Sequence, residues 1–281
     1  MSGIKVLLVD DEEELVSALV QRLGYRNIEA DFALTGQRAL EMIREGTYEV
    51  VVLDLKLPGM SGLELLERIR AESSGIKVLM TEGYEHGGID FKPVLVKVKE
   101  MDPDIVYMIS YIMDASLLMR QARELKLTPK LFIGGAAGFT LPEFTQNAGP
   151  ASNYVVSATL WHQVLPLPGA MDYFNRFKAK YNKDTEYHGA EAYAAAYVIK
   201  DVLSRAKSFS PEDTKQALHE TKLMTVFGPV EFTSYDKKTN QNRLTTYVVQ
   251  WQDGKLQLIW PKNLANAKYH YPVDWLREWG Y

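Results

Sequence analysis

The sequence predicts an α/β protein built on doubly wound parallel sheets, with a C-terminal portion of helices and antiparallel strands. Short apolar runs alternate with amphipathic helical patterns from residue 4 to about residue 159, which is typical of parallel strands covered on both faces. The run Val50-Val51-Val52-Leu53 is apolar on both sides of the pleat, as an interior strand requires. After residue 227 the strands become short and are separated by turn dipeptides, which indicates antiparallel pairing.

In the N-terminal part we expect strands over 4–9, 28–33, 50–55 and 76–80, with helices over 12–23, 37–44 and 62–70. The strand at 28–33 is mixed in polarity and is expected at a sheet edge. Ser61 precedes the third helix and Glu64 follows three residues later, which is the spacing of a capping box.

The middle and C-terminal parts continue with strands and helices of similar length. We expect helices over 90–101, 114–126, 170–181, 188–206 and 211–221, and strands over 104–110, 130–133, 154–159, 230–233, 244–252 and 255–259. The predicted turns are Gly228-Pro229, Asp236-Lys237 and Asp253-Gly254.

The composition excludes several classes of protein. A chain of 281 residues with 46% hydrophobic residues is long enough for about two domains. The net charge of −4 gives no electrostatic footprint for nucleic acid or an anionic membrane, and no apolar run reaches the roughly 20 residues of a membrane span. The absence of cysteine excludes disulfides and thiolate nucleophiles. The first residues lack a secretory pattern, so a cytoplasmic location is expected for the chain as written.

Three aspartates follow predicted strands at their carboxyl ends. Asp10 and Asp11 come after the first strand, and Asp54 ends the third. The carboxyl ends of neighbouring parallel strands form the ligand crevice of an open α/β sheet, so these carboxylates are expected to converge. Converging carboxylates suit Mg²⁺, and a carboxylate beside a cation can accept a phosphoryl group. The alternative is that these residues serve only as helix caps.

The segments Lys5-Val6-Leu7-Leu8-Val9-Asp10-Asp11-Glu12 and Leu53-Asp54-Leu55-Lys56-Leu57-Pro58-Gly59-Met60-Ser61-Gly62 resemble the receiver domain of two-component response regulators. The resemblance implies that Asp54 is the phosphoacceptor, that Asp10, Asp11 and Asp54 hold Mg²⁺, and that Thr81 senses the phosphoryl group. It also implies a histidine kinase or a small phosphodonor as partner. The resemblance ends near residue 82, and the next strand carries no lysine at its end, where a receiver has one.

From about residue 84 onward the chain resembles another family. Asp102-Pro103-Asp104-Ile105-Val106-Tyr107, Phe132-Ile133-Gly134-Gly135 and Phe227-Gly228-Pro229-Val230-Glu231-Phe232 resemble solute-binding proteins of branched-chain amino-acid ABC importers. The resemblance implies flavodoxin-like lobes of the periplasmic-binding-protein-like I type, which close over a small solute, and a periplasmic parent protein.

The same resemblance implies a ligand site. Tyr111 matches a tyrosine of the cleft, and Gly134, Gly135 and Ala136 match a loop that carries a glutamate for the ligand's ammonium. Ala136 stands at the glutamate position, so an aromatic or carboxylate solute is as plausible as an amino acid. Packing in or near the core is the alternative role for Tyr111.

The two resemblances divide the chain into a receiver-like fragment over 1–82, completed to a five-stranded lobe by 83–127, and a solute-binding-protein-like portion over 83–281. This junction suggests an engineered chimera without evolved catalytic activity. Two alternatives are a functional phosphorelay receiver and a binding module for an amino acid or an aromatic acid. The five histidines lack metal-ligand spacing, and no motif indicates an enzyme.

Overall fold

A computed structural model describes residues 4–73, 75–235 and 238–281. The chain forms two compact units, Met1–Glu85 (unit 1) and His86–Tyr281 (unit 2). The turn expected at Asp236-Lys237 lies outside the described residues.

Unit 1 is a four-stranded parallel sheet with helices between its strands. The strands are β1 (Lys5–Val9), β2 (Glu29–Ala33), β3 (Val50–Asp54) and β4 (Lys77–Thr81), and the helices are α1 (Glu13–Gly24), α2 (Gly36–Glu45) and α3 (Gly62–Glu72). The strand order is β2-β1-β3-β4. The predicted edge position of the second strand and the predicted interior position of the third are therefore confirmed.

The inner strands β1 and β3 are covered on both faces, as the apolar run of β3 predicts, whereas Leu79 of the edge strand β4 is exposed. On one face Val6 and Leu8 pack with Val16 of α1. The alternate residues Val51 and Leu53 have no exposed surface. The Ser61 hydroxyl accepts a hydrogen bond from the Glu64 backbone N–H at 3.2 Å, so the cap by Ser61 is confirmed. The Glu64 carboxylate pairs with Arg68 instead of the Ser61 N–H, so the second bond of the predicted capping box is not formed.

Unit 2 contains a five-stranded mixed sheet. The strands of the whole unit are β5 (Ile105–Ile109), β6 (Leu131–Gly135), β7 (Val156–Thr159), β8 (Lys222–Thr225), β9 (Gly228–Glu231), β10 (Thr233–Tyr235), β11 (Lys238–Gln241), β12 (Tyr247–Gln252) and β13 (Lys255–Trp260). The order of the five-stranded sheet is β13-β12-β7-β6-β5, in which β5, β6 and β7 are parallel and β12 pairs antiparallel with both β7 and β13. Strands β8 and β9, and strands β10 and β11, form two separate antiparallel pairs.

The helices of unit 2 are α4 (Lys92–Glu100), α5 (Ile112–Glu124), α6 (Pro142–Ala148), α7 (Ala170–Tyr181), α8 (Tyr187–Arg205), α9 (Pro211–His219) and α10 (Trp275–Trp279). Within the described part of the chain, none of the helices is both long and apolar enough to cross a membrane.

The expectation of one five-stranded lobe over residues 1–127 is wrong. Strand β5 pairs along its whole length with β6, from Ile105 opposite Leu131 to Ile109 opposite Gly135, inside the sheet of unit 2. The boundary between the units falls at residue 85. The reason is local, because β5, α5 and β6 follow one another as a βαβ segment and satisfy each other's backbone groups.

The turn expected at Gly228-Pro229 is also wrong. Gly228 begins β9 and is paired with Thr225, so the turn of this hairpin is made by Val226 and Phe227. Phe227 is buried in the core of unit 2, which places the turn two residues earlier in the chain than predicted. The other turn, at Asp253-Gly254, is confirmed, since both residues have positive φ between β12 and β13.

Candidate functional site

Unit 1 brings the three predicted aspartates together. Val9 at the end of β1 is the register partner of Leu53, so the two strands end side by side. Asp10, Asp11 and Asp54 each offer one carboxylate oxygen, and these oxygens lie within 4.8 Å of one another. Asp11 is exposed, whereas Asp10 and Asp54 are half-buried.

Local hydrogen bonds orient two of the carboxylates. Asp10 Oδ1 accepts from the Glu12 N–H at 2.8 Å, and Asp54 Oδ2 accepts from the Lys56 N–H at 3.3 Å. The first of these bonds reaches the N–H of Glu12, the residue before α1, and neither Asp10 nor Asp11 caps the first turn of that helix. Three hard oxygen donors match the preference of Mg²⁺, and Asp10, Asp11 and Asp54 are the residues that would hold it.

Thr81 lies at the same edge of the sheet. It is the register partner of Asp54 across β3 and β4, and its side chain is exposed. The loop after Asp54 passes so close to α3 that a Cβ on Gly62 would lie 2.5 Å from the Asp54 carbonyl oxygen. Glycine at this position therefore allows the loop and the helix to approach closely.

In unit 2, the loops after β5 and β6 contact one another. The Gly138 N–H donates to the Ser110 carbonyl at 3.1 Å, and a Cβ on Gly138 would lie 2.5 Å from the same oxygen. Ala136, the first residue after β6, is exposed and has φ +62° and ψ −172°, a region that only glycine adopts without strain. Strained backbone of this kind is common at ligand sites.

The structure separates the predicted loop residues into two groups. Gly134 and Gly135 are buried, and a side chain on either would collide with Phe139 or with the Tyr107 hydroxyl, respectively. Packing thus explains both glycines, while Ala136 remains at the surface. Tyr111 is 63% exposed at the start of α5, so it does not belong to the core.

Two further side chains lie beside Tyr111. The His86 ring is perpendicular to the Tyr111 ring, with centroids 5.4 Å apart, and His86 Nε2 lies 3.7 Å from Asp114 Oδ2. The Asp114 carboxylate also accepts from the Gly87 N–H at 3.2 and 3.3 Å. Sequence reasoning missed both residues; the one available signal was an acidic residue in the first turn of a helix that follows a strand.

Comparison with known proteins gives the family. The family described as periplasmic binding protein matches residues 35–255. The Leu/Ile/Val-binding protein homolog 8 of Brucella melitensis is 26% identical over 213 residues, which is 72% of this chain and 51% of that protein. The chain therefore spans about half the length of the curated relatives it matches.

Solved structures agree with the observed fold class. A leucine binding protein from Thermotoga maritima covers 93% of this chain and 100% of its own, with a TM-score of 0.58 and 16% identity, which shows the fold. The receiver domain of a response regulator from Methanoculleus marisnigri is 30% identical but covers 30% of this chain and 70% of its own, and its TM-score of 0.27 is too low to show a shared fold. The predicted α/β class is confirmed, and with a family match that extends over most of its length the chain belongs to the periplasmic binding proteins.

Proposed function

We propose that this chain is a binding module for a small amino acid or a related acid, and that unit 2 carries the site. The observation that supports this most is the edge formed by Tyr111 and Ala136, where an exposed aromatic ring and a strained surface loop follow adjacent parallel strands. Ligands of open α/β sheets bind at the carboxyl ends of the strands.

The names of the relatives support a choice of solute class. Proteins named for binding leucine, isoleucine and valine share the family, so branched-chain amino acids are the first candidates. The Tyr111 ring offers apolar surface for such a side chain, and burial of a leucine side chain contributes about 1.5–3 kcal/mol. Aromatic acids are the second class, because the same ring can stack on an aromatic solute.

Thermal unfolding in the presence of single solutes tests this proposal. A ligand at 100 times its Kd stabilises the folded protein by about 2.7 kcal/mol, which raises the Tm of a unit of this size by roughly 2–4 °C per kcal/mol. We expect a shift with leucine, isoleucine or valine, and a smaller shift in Tyr111→Ala. Tyr181→Ala, at another exposed tyrosine of unit 2, is the matched control. A flat response to all amino acids and aromatic acids would contradict the proposal.

We propose as a second function that unit 1 accepts a phosphoryl group on Asp54. The convergence of Asp10, Asp11 and Asp54 within 4.8 Å favours it. A bound Mg²⁺ would neutralise charge on the phosphoryl oxygens. The Asp54 carboxylate would attack the phosphorus of a kinase phosphohistidine or of a small phosphodonor. An acyl phosphate would form as the bond from phosphorus to the donor breaks and the donor's imidazole or other leaving group departs, and Thr81 would contact the transferred group.

Beryllofluoride with Mg²⁺ tests the second function, since it mimics a phosphoryl group on a carboxylate. We expect saturable uptake by the protein and loss of uptake in Asp54→Asn. Asp172→Asn, at an exposed aspartate of unit 2, should bind as the unaltered protein does. Equal uptake by Asp54→Asn, or no uptake by the unaltered protein, would rule this function out.

We also propose that the chain combines two ancestries and has no catalytic activity of its own. The change of motif near residue 82 supports this origin, although the family match begins at residue 35 and crosses that point. A natural gene with the same junction would contradict the engineered origin.

A further inference from the structure

We propose that the Asp114 carboxylate holds the ammonium group of the solute, and that His86 occupies this position when no solute is bound. The inference rests on the proposed solute-binding function and specifies which group of the site recognises the solute. It gives a role to the buried Asp114 carboxylate, which has few hydrogen-bond donors within the fold.

The Asp114 carboxylate is unusual because it is buried with few hydrogen-bond donors around it. The residue is 3% exposed, yet in the part of the chain that the structure describes its carboxylate receives only the Gly87 N–H and the long contact from His86. A carboxylate can accept about four hydrogen bonds, and a buried one is costly unless its oxygens are satisfied. Both Asp114 oxygens share a single backbone N–H here, so the site has capacity for a cationic donor.

His86 is loosely held against this carboxylate. Its side chain is 71% exposed, and among the described residues its polar and ring contacts are the 3.7 Å approach to Asp114 Oδ2 and the perpendicular ring of Tyr111. A distance of 3.7 Å is too long for a good hydrogen bond. An ammonium group could replace the imidazole at little cost, because His86 would return to water and the carboxylate would gain a closer donor.

The position of Asp114 agrees with such a role. It lies in the first turn of α5, three residues after the exposed Tyr111, and Ser110 at the end of β5 is bonded to the loop that follows Ala136. A solute with an ammonium group at Asp114 would therefore have the Tyr111 ring within reach of its side chain. This arrangement selects an α-amino acid with an apolar or aromatic side chain over the corresponding acid without the amino group.

Calorimetric titration of the full chain with leucine and with 4-methylpentanoate, which lacks the amino group, tests the inference. We expect the unaltered protein to bind leucine more tightly. Asp114→Asn should weaken leucine binding by about 10- to 100-fold, the value of a hydrogen bond to a charged group, and leave the weaker binding of 4-methylpentanoate unchanged. His86→Ala should strengthen leucine binding by about two- to fivefold. His219→Ala, at another exposed histidine, is the matched control and should change neither ligand.

The outcomes separate the inference from the function on which it rests. If the unaltered protein binds leucine but Asp114→Asn binds it equally well, the inference is overturned and the proposed function stands. If the unaltered protein binds no amino acid, both are overturned. If Asp114→Asn does not fold, His86→Ala and the NMR signals of the His86 ring decide: the inference requires that leucine moves these signals and that 4-methylpentanoate does not.

Discussion

At the scale of single residues, the candidate sites differ in how far sequence could reveal them. Asp10 and Asp54 each end an apolar strand, and parallel strands end at a common edge, so their convergence was predictable. Asp114 contacts residues 27 and 28 positions earlier in a loop, and no periodicity encodes that contact. The strained conformation of Ala136 was equally invisible, because alanine carries no turn signal.

Ala136 gives a prediction about stability. Its backbone conformation costs of order 1–3 kcal/mol for a residue with a Cβ, whereas glycine adopts it freely. Ala136→Gly should therefore raise the free energy of unfolding of unit 2 by about 0.5–2 kcal/mol, after the greater flexibility of glycine in the unfolded chain is subtracted. Urea denaturation followed by tryptophan fluorescence measures this.

The neighbouring position supplies the control. Ala137 begins a short 3₁₀ helix and does not have positive φ. Ala137→Gly should lower the free energy of unfolding by about 0.5–1 kcal/mol, so the two substitutions should have opposite signs. A loss of stability in both variants would show that Ala136 is not strained.

At the scale of elements, segments with a clear apolar pattern were predictable and segments without one were not. The pattern at 170–181 matches α7 to the residue, because twelve residues supply three turns of amphipathic periodicity. Helix α6 and strands β10 and β11 were missed. Helix α6 has seven residues, too few for a helical period to show, and the residues of β10 and β11 are mostly polar and exposed, so no apolar alternation marks them as strands.

The C-terminal helix α10 is short but well anchored. Trp275 is 1% exposed, packs edge-on against Phe132 of β6 with ring centroids 4.9 Å apart, and donates its indole N–H to the Pro129 carbonyl at 2.6 Å. The Arg123 guanidinium also donates to the Trp279 carbonyl at 2.9 Å. The two tryptophans of α10 therefore pack on the body of unit 2.

Trp275→Ala should destabilise unit 2 by about 3–5 kcal/mol, because it leaves a large cavity beside Phe132. Leu276→Ala lies one residue away on the exposed side of α10 and should change the free energy of unfolding by less than about 0.5 kcal/mol. Chemical denaturation followed by circular dichroism compares the two variants. A similar small loss in both would mean that α10 contributes little to the unit.

At the scale of the whole molecule, the α/β class was predictable and the grouping of strands was not. Alternation of strand and helix predicts parallel sheets, but the pattern of β5 does not say which neighbour it pairs with. The prediction of one lobe over residues 1–127 was wrong because it assigned β5 to the sheet of unit 1. The two units divide at residue 85, close to the change of motif near residue 82. The family match, in contrast, begins at residue 35 and crosses that boundary.

The two units give separate readouts for the two proposed functions. All five tryptophans lie in unit 2, whereas the aspartate cluster lies in unit 1. Tryptophan fluorescence therefore reports on the unit proposed to bind the solute, independently of the chemistry proposed for Asp54.

The central claim is that unit 2 binds an amino acid at the edge formed by Tyr111 and Ala136. Isothermal titration of the full chain with leucine, isoleucine and valine tests it most directly. We predict saturable binding of at least one of them at one site per chain, weakened in Tyr111→Ala and unchanged in Tyr181→Ala. Absence of binding for all three, or equal binding by both variants, would contradict the claim.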